Sequence, residues 1–139
     1  MQINLTLEST FKNTAPICNI LTNKESVQMI CNKKTNKFEI DLAMDKTDKF
    51  RIEFINKDGH DDNVVDIKEL SIDGINLQHF IYKGEYRPEY NQHWFDRQEI
   101  KPPEVYCPGT ELRHNGTWHM DISQPIWKMI MEGWLDDDR

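Results

Sequence analysis

Four short side chains bearing oxygen stand close together in the sequence: Asp58, Asp61, Asp62 and Asn63. Carboxylates and amides at this density are the donors a hard cation needs, because calcium takes several oxygen ligands at once. Zinc would call for paired Cys or His, and no CxxC occurs. An ion bound here would be calcium, held by Asp62 with Asp58 or Asp61 and by backbone carbonyls of residues 56–62. Lys57 stands beside these acids, and an ammonium there would compete with the cation. Asp, Asn and Gly also favour turns, so the same residues suit a plain loop between strands.

A second group of chemically useful side chains lies between Lys83 and Arg113. Tyr86, Tyr90, Trp94, Phe95 and Tyr106 are interleaved there with Pro88, Pro102, Pro103 and Pro108. Periodicity is poor, which predicts a long loop, and loops of this length in a compact domain are often functional. Planar rings offer a large contact area, and Tyr and Trp add a polar handle. Tyr86, Tyr90 and Trp94 are the anchors this reading selects. The competing reading folds the rings down onto the sheet and pins the loop with them.

Support for catalysis is thin. GxSxG, HExxH and phosphate-loop motifs are absent, and the five histidines are scattered. His114 and His119 could meet around the turn at 115–116, a weak metal signal. A small hydrolase using Asp58, Asp61 or Asp62 as acid, base or metal ligand is the alternative from another class. The primary reading is a binding domain that is not an enzyme.

The elements that must position these groups read as β-strands. Ile3, Leu5 and Leu7 mark one strand, and 17–21 and 27–31 are two more. Phe38, Ile40, Leu42 and Met44 alternate with polar residues, as do Phe50, Ile52 and Phe54. The links NKES, KKTNK and DKTD are short and polar, as hairpin turns are. Lys33, Lys34 and Lys37 form a basic cluster on one of them. After the acidic loop, Val65, Ile67, Leu70 and Ile72 skip one residue, which predicts a bulge near Lys68-Glu69. Trp118, Met120 and Ile122 form a last strand, introduced by Asn115-Gly116. A helix over 123–135 follows, capped by Ser123, with Ile126, Trp127, Ile130, Met131 and Trp134 as its apolar stripe. An acidic tail, 136–139, closes the chain. The prediction is one all-β domain over 1–139, an antiparallel β-sandwich of jelly-roll type with one C-terminal α-helix.

Composition narrows the partners. The net charge of −7 argues against nucleic acid, which needs clustered Lys and Arg. No apolar run approaches the ~20 residues of a membrane span, and the N-terminus lacks the pattern of a signal peptide. Cys18, Cys31 and Cys107 are odd in number, so no disulfide framework is expected and synthesis in a reducing cytoplasm fits.

Two resemblances extend this reading. Phe54, Asn56, Asp62, the alternating Val65, Ile67, Leu70 and Ile72, and the closing Asp73-Gly74 resemble a segment of calcium-dependent xylan-binding carbohydrate-binding modules. That resemblance implies a jelly-roll-like sandwich, a glycan partner and a calcium site at the acidic loop. It departs at two places: Lys57 stands where the family has its first metal-binding Asp, and Asn63 where it has Arg. The run Leu77-Gln78-His79-Phe80-Ile81-Tyr82, with Asn115-Gly116-Thr117-Trp118, Pro125 and Trp127, is similar to small proteins of contractile-tailed phages. This second resemblance implies a chain made in a host cytoplasm and incorporated into the virion, with a structural protein as partner. A pure assembly protein would form an oligomer through the terminal helix or the aromatic loop.

Overall fold

The structure, a computed structural model, describes residues 1–57 and 62–137, with side chains as far as Glu132. Among the described residues, ten strands and two α-helices follow one another: β1 (Gln2–Thr10), β2 (Ile17–Leu21), β3 (Ser26–Ile30), β4 (Thr35–Asp41), β5 (Thr47–Phe54), β6 (Val64–Ile72), β7 (Ile75–Asn76), β8 (Glu85–Pro88), α1 (Gln92–Asp96), β9 (Glu111–Leu112), β10 (Gly116–Ser123) and α2 (Ile126–Asp137). They form two antiparallel sheets. One runs β4-β1-β6, with β7 and β9 both paired to β6, and the other runs β3-β2-β5-β10-β8. The predicted β-sandwich with a C-terminal helix is what forms.

Strict alternation drives the burial. Ile3, Leu5 and Leu7 of β1 and Phe50, Ile52 and Phe54 of β5 all turn inward. Val65, Ile67, Leu70 and Ile72 are buried too, and the skipped residue is a real bulge. Thr6 faces Glu69 and Leu7 faces Ile67, so Lys68 is the extra residue. Phe50 meets Trp118 edge to face at 6.2 Å in the centre of the core. Phe38 departs from the expected pattern: it is only half buried, because β4 is an edge strand with β1 as its sole neighbour.

Of the three short links, only NKES closes a hairpin, joining β2 to β3. The other two cross between the sheets, so Lys33, Lys34 and Lys37 do not decorate a hairpin turn. Buried polar side chains make the crossings. The Asn36 amide donates to the carbonyls of Leu7 (3.2 Å) and Lys33 (2.8 Å), and its oxygen accepts from the Lys33 N–H at 3.1 Å. The buried Asp48 carboxylate accepts from the N–H groups of Asn23 (2.9 Å) and Asp45 (2.8 Å).

Helix α2 starts later than predicted, since Ser123 still belongs to β10 and therefore does not cap it. Its inward face is Ile126, Met129 and Ile130, not the whole predicted stripe. Trp127 and Met131 point outward, 60% and 54% exposed, and the Trp134 side chain lies outside the described residues. No helix among the described residues is long and apolar enough to cross a membrane.

Candidate functional site

The segment 83–113 is not one loop. It contributes β8 to one sheet, β9 to the other and the short helix α1 between them. Glycine at 84 lets β8 approach the core, because a Cβ there would meet the Trp118 indole at 2.4–2.5 Å. At one end of the sandwich these pieces wall a groove of ≈ 1140 Å³.

Rings form one wall. The Asn91 side chain caps α1 by accepting from the Trp94 N–H at 3.2 Å, which swings Trp94 back over Tyr90. Tyr90 and Trp94 stack at 5.5 Å with planes 19° apart, and Phe95 packs on Tyr90 at 5.7 Å. His114, from the β9–β10 link, completes the cluster at 4.9 Å from Tyr90 and 4.7 Å from Trp94. The Tyr90 hydroxyl donates to the Pro103 carbonyl, so the loop behind is tied to the same ring. Pinning and exposure therefore coexist: Tyr90 and Trp94 hold the loop down, yet both are half exposed and line the groove.

Tyr86 does not join them. It is 1% exposed, stacked on Tyr106 at 6.1 Å, with its hydroxyl bonded to both the carbonyl and the N–H of His114. As an inward residue of β8 it belongs to the core and is not the surface anchor expected from its ring type. Its role is to fix the backbone that carries His114. Burial raises its phenol well above the ordinary range.

Charged groups form the other walls. Lys57, Asp62, Asp66, Glu89, Arg97, Glu111 and Arg113 all reach the groove. Strand register places Glu8 opposite Asp66 and Asp66 opposite Glu111, so three carboxylates stand side by side across β1, β6 and β9. Burial, then repulsion from Glu111, raises the Asp66 carboxyl above its usual range. Arg113 pairs with Glu111 and offsets part of that charge. Burial, followed by the nearby charges of Lys57 and Arg113, lowers His114 from its ordinary value.

Of the three residues expected to hold calcium, Asp58 and Asp61 lie outside the described residues. Asp62 is exposed and lines the groove, so it shares a site with Tyr90 and Trp94. Two backbone carbonyls beside it already accept hydrogen bonds. The Lys57 ammonium donates to the Asn63 carbonyl at 2.8 Å, and the Asn56 carbonyl accepts from the Asn63 amide at 3.5 Å. The buried Asn63 side-chain oxygen has no hydrogen-bond partner. A dication placed on it would be repelled by the Lys57 ammonium, which already bonds the carbonyl of the same residue. No group of three His, Cys, Asp or Glu able to hold a metal occurs among the described residues. The described residues alone do not make a calcium site. His114 and His119 make no metal pair either: His114 packs on the rings, and His119 faces Glu85 at 3.7 Å.

Asp66, Glu111, Arg97, Arg113 and His114 were not singled out for the groove from the sequence. β9 is two residues long and shows no periodicity, and the Asp66–Glu111 pairing exists only through strand register.

No family model and no curated protein matches this sequence. Two solved structures match the fold. One is vCBM60 in complex with galactobiose, with a TM-score of 0.60 at 12% identity, covering 88% of this chain and 100% of that one. The other is the selenomethionine form of vCBM60, with a TM-score of 0.54 at 10% identity over 85% and 89% of the two chains. That work describes circular permutation as an evolutionary link between two families of calcium-dependent carbohydrate binding modules. At these identities the likeness is one of fold.

Proposed function

We propose that this is a non-catalytic carbohydrate-binding domain, with the glycan lying in the groove against Tyr90 and Trp94. The observation that carries this reading is the stacked, half-exposed ring pair set opposite a wall of hydrogen-bonding side chains. A sugar presents an apolar ring face and a rim of hydroxyls, which is the complement of those two walls. The sandwich fold shared with glycan-binding neighbours supports the same class of ligand. Affinity electrophoresis on soluble galactan and xylan, followed by calorimetry with galactobiose and xylo-oligosaccharides, tests it. Retention of the wild type and its loss in Trp94→Ala is the expected result. No release of reducing ends is expected on prolonged incubation, whereas turnover abolished by Asp62→Ala or Asp66→Ala would favour a hydrolase.

The phage resemblance supports a second reading, a virion accessory chain with a structural protein as partner. The feature that favours it is the outward pair Trp127 and Met131, one turn apart on α2. Mass spectrometry of purified particles tests this placement, and size-exclusion chromatography of the isolated chain tests self-association.

A further inference from the structure

We propose that the free edge of β3 is an interface between two copies of this chain, paired strand to strand about a two-fold axis at Gln28. β3 ends the sheet β3-β2-β5-β10-β8, and among the described residues no strand covers its outer side. Its ladder with β2 fixes which backbone groups face out. The Cys31 N–H donates to the Pro16 carbonyl at 2.8 Å, and the Thr22 N–H to the Glu25 carbonyl at 2.9 Å. The register between these bonds is unbroken, so Val27 and Met29 also turn their backbone groups toward β2. Ser26, Gln28 and Ile30 therefore turn theirs outward, a row of donors and acceptors spaced for another antiparallel strand.

The other edges are blunted. β4 carries Lys37, Glu39 and Asp41. β8 ends in Pro88, and its Tyr86 exchanges both backbone hydrogen bonds with Tyr106. β7 and β9 are two residues each. β3, by contrast, reads Ser-Val-Gln-Met-Ile, without charge, proline or bulge. A second copy is the occupant this strand fits. Antiparallel pairing centred on Gln28 lets Gln28 exchange both backbone hydrogen bonds with the partner's Gln28. It sets Ser26 against the partner's Ile30, and Val27 against the partner's Met29. Val27 and Met29 are partly buried on the core, and each would cover apolar surface that the other leaves open. Charge agrees with this direction. At the Ser26 end, Lys24 pairs with Asp45 at 3.5 Å and leaves Glu25, while the Ile30 end leads to exposed Lys33 and Lys34. Antiparallel pairing brings the acidic end of each copy to the basic end of the other, and parallel pairing would oppose like ends. Two five-stranded sheets would then run on as one.

This inference does not rest on the glycan reading. Sedimentation velocity over about 5–500 µM tests it, because one short strand pair is smaller than a standard interface and should hold a dimer only in the micromolar range. Wild type should pass from monomer to dimer across that range. Gln28→Pro removes the outward N–H and spares the β2 ladder, in which that N–H takes no part. Gln28→Lys opposes two ammonium groups at the axis and adds no backbone constraint, so it serves if the proline variant fails to fold. Both variants should remain monomeric at the highest concentration, with thermal melts confirming that they are folded. A wild type that stays monomeric throughout would overturn the inference. So would a dimer that persists in Gln28→Lys, the result expected of a contact through Trp127 and Met131 instead. Amide hydrogen exchange gives the second readout: protection of the Gln28 and Ile30 N–H groups should rise with concentration, while that of Val27 and Met29 stays unchanged.

Discussion

Replacing Trp94 with alanine separates a binding ring from a structural one, and the structure sets the size of both effects. Trp94 is half exposed, with the Tyr90 stack at 5.5 Å and His114 at 4.7 Å as its ring contacts. Its cap bond to Asn91 uses the backbone N–H and survives the substitution. Two such ring contacts at a wet surface are worth about 1–2 kcal/mol together, which lowers the melting temperature of a domain this size by roughly 3–6 °C. On the ligand side, a sugar covering one indole face removes roughly 60–80 Å² of apolar surface from water, or about 1.5–2 kcal/mol. That is a 10- to 30-fold weaker Kd, roughly. Trp118→Ala is the control: the ring is fully buried against Phe50, and its deletion should cost about 3–5 kcal/mol. Thermal melts and calorimetry on wild type and both variants give the comparison. The reasoning fails if Trp94→Ala melts as early as Trp118→Ala while glycan retention stays unchanged. Tyr90→Ala is a poorer choice, because Tyr90 also holds Pro103, Phe95 and His114 in place.

Gly84→Ala would place a methyl 2.4 Å from the Trp118 indole nitrogen, and urea denaturation should show a loss of about 2–3 kcal/mol or no folded protein. Asp66→Asn should stabilise the domain at pH 7 by a few tenths of a kcal/mol, the scale of like charges opposed on a sheet and screened by water. Because the folded state raises the Asp66 pKa, the penalty exists where the group is ionised and vanishes as pH falls through that raised value, so the gain should disappear in acid. His114 has the opposite sense. Its folded pKa lies below its ordinary value of 6.5, so its contribution is complete above that pH and is lost as pH falls toward the lowered value. Melting temperature between pH 5 and 8 should therefore decline less steeply on the acid side in His114→Gln than in wild type.

What could be read in advance divides along a physical line. Inward positions repeat every second residue, so Phe50, Ile52 and Phe54 announce their own burial, and the missed beat after Ile67 announces the bulge at Lys68. A short polar link carries no such mark. KKTNK and DKTD resemble NKES, yet they cross between sheets, and the difference rests on where Asn36 and Asp48 find partners far along the chain. The segment 83–113 hides its order for a related reason: pieces of four, five and two residues are too short to show a period. Tyr86 and Tyr90 are thus equivalent in composition, and only the pairing of β8 with β10 turns one inward. The acid-rich loop is visible because its residues lie within six positions of one another. Its chemistry is not, because Asp62 acquires Tyr90, Trp94 and Asp66 as neighbours only through the closing of both sheets at one end. Lys57 is the informative case between these extremes. The sequence places an ammonium beside the acids and makes it a competitor for a cation. The Asn63 carbonyl at 2.8 Å gives that ammonium a fixed position and ties the residues that follow β5 to those that precede β6, a contact that residue order alone does not announce.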